Sequence, residues 1–147
     1  MNEIKKERIK LLDKLLHVFC KRVSSFNAEM YMKHFQGITS VEMSIIGIVG
    51  DKPDVILKEI SERMSVPGST LTNAVDRLEN RSLLTRVISK RDRRSFKLKL
   101  TEVGKRLYEK HAAEEQLMWR KILGALESDE EIETFLKLLK KVVEGIK

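Results

Sequence analysis

The sequence SLLTRVISKRDRRSFKLKLT, from Ser82 to Thr101, decides the fold of this 147-residue chain. Apolar and polar residues alternate in two short runs, Leu84 to Ile88 and Ser95 to Leu100, which is typical of half-buried strands. Between the runs lies a polar turn rich in arginine. We therefore predict a β-hairpin with a positively charged tip.

An amphipathic helix is predicted directly before the hairpin, from Ser69 to about Arg81. A shorter helical pattern, built on Leu57, Ile60 and Met64, precedes it, and Pro67-Gly68 separates the two. Two short helices joined by a tight turn are typical of a helix-turn-helix. With the basic hairpin attached, the pattern indicates a winged helix-turn-helix that binds duplex DNA.

The remaining sequence predicts long flanking helices. One runs from about Ile4 to Met30, and Thr39-x-x-Glu42 is a capping box that begins a second helix. Thr101 is expected to cap a helix that runs to about Leu126, and Ser128 a final one. The fold class expected is mainly α with a small β-hairpin wing, in one domain of residues 1–147.

Positive charge is concentrated in residues 76–106. Against the acids Asp76, Glu79, Asp92 and Glu102, this stretch carries eleven bases: Arg77, Arg81, Arg86, Lys90, Arg91, Arg93, Arg94, Lys97, Lys99, Lys105 and Arg106. The excess of positive over negative charges in this stretch equals the net charge of +7 of the whole chain. We expect this surface to face phosphates, which gives salt-dependent affinity without sequence selectivity.

Sequence reading is expected from the helix before the hairpin. A helix in the major groove presents its first turns to base edges, and the candidate donors and acceptors are Ser69, Thr70, Thr72, Asn73 and Arg77. The alternative is that Ser69 and Thr70 only cap the helix and that Asn73 and Arg77 are ordinary solvated residues.

The hairpin tip is expected to reach the minor groove through four bases, Lys90, Arg91, Arg93 and Arg94. The acid between them, Asp92, can accept hydrogen bonds from a guanidinium across the turn and so orient Arg94. Asp92 is equally explained as a turn-forming residue, and both roles are compatible.

Four segments in order, LKEISERM (57–64), VPGSTLTNAVDRLENRSLLTR (66–86), Asp92-x-Arg94 and LKLTEVGKRLYE (98–109), resemble the MarR family of bacterial winged-helix transcription regulators. The resemblance implies a homodimer on a pseudo-palindromic operator. It also implies a DNA-binding lobe at 39–100, dimerisation helices at 1–33 and 101–147, and a regulator, most often a repressor, that responds to a small aromatic or anionic effector.

Two positions depart from the family pattern. Ser82 stands where a glycine commonly follows the recognition helix, so we expect that helix to end less sharply. Ile56 stands where serine or threonine usually caps the preceding helix, so Asp54 or water is expected to serve instead.

The sequence also contains candidates for other functions. Candidate effector-pocket residues are His17, Phe26, Tyr31 and Met43, although such a stripe is more often core. Cys20 raises redox sensing as an alternative function, and a non-enzymatic nucleic-acid or protein interaction module on the same fold is another. The pattern predicts no metal site, cofactor, enzymatic activity or membrane segment, and a cytoplasmic protein.

Overall fold

The computed structural model describes residues 5–89 and 96–146 of the chain. It contains six helices and one hairpin: α1 (Lys6–His34), α2 (Ser40–Asp51), α3 (Leu57–Met64), α4 (Gly68–Asn80), β1 (Leu84–Ile88), β2 (Phe96–Leu100), α5 (Glu102–Leu123) and α6 (Asp129–Gly145). Each predicted helix and strand is confirmed, and most ends fall within one to three residues of the prediction.

The chain forms two compact units, residues 1–105 and residues 106–147. In the first, α2 packs against α4 and β2, α3 packs against β2, and α4 packs against β1. The centre of this core consists of fully buried side chains from α2, α4 and the two strands, including Ile45, Leu78, Leu84 and Leu98. This packing attaches α4 and the hairpin to one apolar layer.

The hairpin is antiparallel, with Leu84 opposite Leu100 and Ile88 opposite Phe96. Its inner face is apolar and buried at the base, where Leu84 and Leu98 are inaccessible to solvent. Ile56 forms an isolated bridge to Lys97, so the segment before α3 also lies against β2.

Three predicted helix caps are present. Thr39 accepts a hydrogen bond from the N–H of Glu42, whose carboxylate in turn accepts from the N–H of Thr39 at 2.7 Å. The hydroxyl of Thr101 accepts from Gly104 at 3.1 Å, and that of Ser128 from Glu131 at 3.3 Å. Each cap supplies an acceptor to an N–H that the helix itself cannot satisfy.

The end of α4 is sharply capped, contrary to our expectation for Ser82. Ser82 has a φ of +56°, and its N–H bonds to the carbonyl of Glu79 while the N–H of Leu83 bonds to that of Leu78. These two bonds complete a Schellman motif. The motif needs a left-handed backbone, which glycine adopts freely and serine adopts only at a cost. The prediction was wrong because Ser82 adopts this conformation despite the cost.

At the start of α3, the side chain of Glu59 takes part in capping. The carboxylate of Glu59 accepts from the N–H of Ile56 at 3.0 Å, so half of a capping box is present without a serine or threonine. Asp54 instead pairs with Lys97 on β2. Glu59 was not among the expected substitutes, which were Asp54 or water.

Helix α5 begins against the bend that follows α4. The N–H and hydroxyl of Thr101 both donate to the carbonyl of Leu83. A Cβ at Gly104 would lie 1.9 Å from that carbonyl oxygen, so only glycine fits there. In the second unit, Met118 of α5 is buried, whereas α6 has no buried residue.

Candidate DNA-binding surface

The outward face of α4 carries polar side chains that are free to bind a partner. The apolar positions of α4 are buried, while the exposed candidates are Ser69, Thr70, Thr72 and Asn73. Within residues 5–89 and 96–146 these four side chains make no hydrogen bond or ion pair. They are therefore available as donors and acceptors.

Capping does not explain Ser69 and Thr70. The residue that caps α4 is Pro67, and no side chain accepts a hydrogen bond at this helix end. The first intrahelical bond runs from Leu71 to the carbonyl of Pro67. The backbone N–H groups before Leu71 therefore lack a partner within the helix, as is usual at helix N-termini.

Arg77, the fifth predicted base reader, is held by a buried acid. Its Nε donates to Oε1 of Glu42 at 2.8 Å, and the side chain of Glu42 is only 2% exposed. Burial raises the pKa of Glu42, but hydrogen bonds from Thr39 and the charge of Arg77 outweigh burial and lower it overall. Glu42 is therefore a carboxylate at neutral pH.

Arg86 ties β1 to α4. Its Nη2 lies 2.6 Å from Asp76, its Nη1 pairs with Glu79, and its backbone N–H donates to Glu79 at 2.9 Å. Burial lowers the pKa of Arg86, but the two acids outweigh burial and raise it, so the guanidinium stays charged. Arg86 therefore orients the wing on α4 and is not available to phosphates.

The basic surface is smaller than the sequence suggested, because most of its described cations have partners within the chain. Arg81 donates to the carbonyl of Gly37, Lys97 pairs with Asp54, and Lys105 pairs with Glu102 at 2.7 Å. Of the seven described bases in residues 76–106, Lys99 and Arg106 have no such partner.

The wing tip lies outside the described residues. This applies to Lys90, Arg91, Asp92, Arg93 and Arg94, so the proposed contacts of the four bases and the orienting role of Asp92 stay predictions.

The predicted effector residues lie on two helices, α1 and α2. Met43 is buried in α2, Phe26 and Tyr31 are half-buried on α1, and His17 is exposed on α1. At about 1.5 Å per residue, His17 lies roughly 21 Å along the helix from Tyr31. The effector site made of these four residues stays a prediction.

Other candidate chemistry is limited. Cys20 is exposed on α1 rather than buried among apolar residues. In the part of the chain that the structure describes, no three histidine, cysteine, aspartate or glutamate side chains are grouped to hold a metal ion. None of the described helices has the length and apolarity that crossing a bilayer requires.

Sequence reasoning missed the acids that orient the basic side chains: Glu42, Asp54, Asp76 and Glu79. Asp76 and Glu79 lie within ten residues of Arg86, so the excess of acid on α4 before a strand arginine was a usable signal. Asp54 and Glu42 lie 43 and 35 residues from their partners, and no local pattern indicated those pairs.

Comparison with known proteins gives the same family as the sequence pattern. A family model described as the MarR family matches residues 36–95. The HTH-type transcriptional regulator MhqR of Bacillus subtilis (strain 168) is 31% identical over 134 residues, which cover 88% of this chain and 89% of MhqR.

Solved structures of similar proteins extend the comparison to nearly the whole chain. A MarR family protein from Bacillus stearothermophilus matches with a TM-score of 0.83 at 25% identity, covering 98% of this chain and 99% of that one. Streptococcus pneumoniae FabT, solved in complex with DNA, matches with a TM-score of 0.76 at 28% identity, covering 97% and 100%. This chain belongs to the MarR family, and it is a DNA-binding transcription regulator rather than an enzyme.

Proposed function

We propose that this protein is a homodimeric, ligand-responsive repressor that binds a pseudo-palindromic operator. Base reading is assigned to Ser69, Thr70, Thr72, Asn73 and Arg77, and minor-groove contacts to the wing tip. The observation that carries this proposal is the outward face of α4, where four polar side chains make no hydrogen bond within the described residues. A helix presented in this way fits the major groove.

The start of α4 also suits the DNA backbone. Its unpartnered N–H groups before Leu71 attract an anion such as a phosphate, and no acid stands in the first turn of the helix. The backbone N–H groups of the first turn can therefore contact a phosphate while the polar side chains of α4 contact bases.

The dimer is supported by apolar stripes on two helices. On α1, Leu12, Leu15, Leu16 and Phe19 are 43–58% exposed. On α6, the side chains from Phe135 to Ile146 that recur at helical spacing are also exposed. Exposed stripes of this length favour burial against another chain. A two-fold dimer would place its half-sites about one helical turn, roughly 34–36 Å, apart.

We assign contacts with the phosphates of the DNA backbone to the wing, mainly to its tip. On the described strands Lys99 is the base without a partner inside the chain, since Arg86 and Lys97 are paired. The wing's phosphate contacts therefore depend on Lys90, Arg91, Arg93 and Arg94. We expect Arg94→Ala to cost about 1–3 kcal/mol of operator binding.

Regulation is proposed to follow from a small aromatic or anionic effector. Such a ligand would release DNA by binding better to one spacing of the two α4 helices than to the other. His17, Phe26, Tyr31 and Met43 remain candidates for contact with it.

The test is a titration of the purified protein against an inverted repeat from upstream of its own gene, at near-physiological salt. We expect selective binding of the palindromic duplex over a scrambled duplex of the same composition, with a stoichiometry of one dimer per repeat. Equal affinity for both duplexes, or preference for single-stranded RNA, would instead favour the general interaction module, since RNA readers select unpaired bases.

Redox sensing through Cys20 is the second candidate, because its thiol is exposed on α1. If it operates, peroxide releases the wild-type protein from DNA and does not release the Cys20→Ser variant. Equal peroxide-dependent release of both proteins would exclude it.

A further inference from the structure

Glu42 stands out as a buried charge that forms an ion pair with Arg77 on α4. Its side chain lies in the core side of α2, 2% exposed, and Arg77 crosses from α4 to meet it. The pair lies in a shallow cavity of about 290 Å³, whose walls are Gly37, Thr39, Glu42, Arg77, Asn80 and Arg81. Arg77 itself remains 60% exposed, so its guanidinium is accessible from solvent.

The carboxylate of Glu42 is immobilised by two elements. One oxygen accepts from the N–H of Thr39 at 2.7 Å and from its hydroxyl at 2.9 Å, and the other accepts from Arg77 at 2.8 Å. An exposed acid on a flexible stem would gain little by such a pair. A buried acid that is fixed by a capping box has one orientation. The side chain that it binds therefore rotates less freely.

The mode of attachment distinguishes Arg77 from its neighbours. Arg86 uses both terminal nitrogens on Asp76 and Glu79, and Arg81 uses Nη1 on the carbonyl of Gly37. Arg77 uses only Nε. Among the described residues nothing else bonds to it, so Nη1 and Nη2 remain available.

Because only Nε is bonded, the terminal nitrogens that can recognise guanine stay available. A guanidinium has five N–H donors in a planar fork, and the bidentate contact to O6 and N7 of guanine needs two of them side by side. With Nε bonded to Glu42, the two terminal nitrogens keep their N–H groups for another acceptor. Arg77 stands one helical turn after Asn73 on α4 and bonds to Glu42 on α2, so it joins the base-reading residues to the core.

We propose that Glu42 is a positioning residue that orients Arg77 to read a guanine in each half-site, and that it thereby determines base selectivity without touching DNA. This inference depends on the proposed function, because it requires that α4 enters the major groove. An arginine that is already oriented by Glu42 loses less conformational freedom when it binds guanine, and it binds in one orientation only.

The test combines Glu42→Gln, Arg77→Ala and the double variant with a set of duplexes. In that set each G·C pair of the half-site is exchanged symmetrically for A·T, one position at a time. Glutamine can still serve the capping box, but its amide cannot accept from both Thr39 and Arg77. Thermal unfolding of each variant first establishes that it is folded at the temperature of the titration.

We expect Arg77→Ala to weaken binding of the native operator by about 5- to 150-fold and to abolish the preference at one G·C position. Glu42→Gln should weaken it by about 10-fold, with reduced preference at that same position. In the Arg77→Ala background, Glu42→Gln should change affinity by less than about 2-fold, because a positioning residue has no effect once its target is absent.

Glu62→Gln is the matched control, since it removes the same charge from an exposed site on α3, where Glu62 pairs with Lys58 at 3.9 Å. It should leave selectivity unchanged. Equal loss from Glu42→Gln in both backgrounds would show a purely structural role, and uniform weakening by Arg77→Ala on all duplexes would show a phosphate contact. Either result overturns the inference. If the wild type selects no palindrome, the proposed function itself fails.

Discussion

Helices α4 and α6 have the same kind of amphipathic sequence and opposite surroundings. All four core-facing apolar residues of α4, Leu71, Ala74, Val75 and Leu78, are at most 3% exposed. On α6 no residue is buried, and Phe135, Leu139 and Val142 are 38–55% exposed. The pattern of a helix therefore identifies its apolar face but does not say which chain covers that face.

This difference separates two tasks. The apolar face of α4 is covered by its own chain, so α4 presents a stable polar face to DNA even in an isolated subunit. The apolar face of α6 would be covered by a second subunit in the proposed dimer, and its stability would then depend on protein concentration.

The largest effect is expected from charges on the α6 stripe. The double variant Leu139→Glu with Val142→Glu should be monomeric by sedimentation equilibrium, because carboxylates would be buried in the proposed interface. Operator affinity should fall by about 100-fold or more, since two linked half-sites bind far more tightly than one. Lys137→Glu introduces the same change of net charge on the polar face and should remain dimeric. A dimeric double variant would mean that this stripe is not the interface.

A smaller loss is expected from a truncation within α4. Leu78→Ala should lower the free energy of unfolding by about 2–5 kcal/mol, because Leu78 is fully buried and a cavity remains. Denaturant unfolding at several protein concentrations would measure it. The loss should be the same at each concentration, whereas the loss caused by Leu139→Ala should shrink on dilution as dimers dissociate. Matching concentration dependence in both variants would contradict the contrast.

Local features of the fold were predictable from the sequence. Capping by Thr39, Thr101 and Ser128 depends on residues three positions apart, and the hairpin follows from a period of two in short runs. Such signals survive because the interacting groups are close along the chain. The same holds for the polar face of α4, whose residues are separated from its apolar face by helical periodicity alone.

Long-range electrostatics were not predictable in this way. The eleven bases of residues 76–106 suggested a phosphate-facing surface, but Arg77 and Lys97 meet acids that lie 35 and 43 residues earlier. A charge tally treats every cation as exposed. Which cations remain available to DNA depends on tertiary packing, and this determines the candidate site more than the total charge does.

The acid that holds Arg77 should make stability depend on pH. The folded-state pKa of Glu42 lies below its ordinary value of 4.5, so its contribution is present above that value and is lost as the pH falls below it. At pH 7 Glu42→Gln should lower the free energy of unfolding by about 2 kcal/mol. The difference from the wild type should narrow in acid, as measured by urea unfolding between pH 7 and pH 3. A constant difference would contradict the charged, hydrogen-bonded state of Glu42.

The smallest effect is expected at the end of α4, and its sign is the opposite of the others. Ser82 holds a left-handed conformation that costs a residue with a Cβ about 1–2 kcal/mol, and its hydroxyl makes no hydrogen bond within the described residues. Ser82→Gly removes that cost but gives the unfolded chain more freedom. We therefore expect a gain of about 0.5–1 kcal/mol, measured by urea unfolding.

Ser44→Gly is the matched control for that gain. Ser44 is exposed in the interior of α2, where the backbone is helical and glycine has only its entropic disadvantage, so this change should destabilise by about 0.5 kcal/mol. Opposite signs for one substitution at two exposed serines would show that the backbone conformation at Ser82 decides the result. Destabilisation by glycine at both Ser82 and Ser44 would mean that the Schellman motif is not formed in solution. In that case α4 would lose the sharp end that places β1, and with it the wing, directly behind the helix that reads DNA.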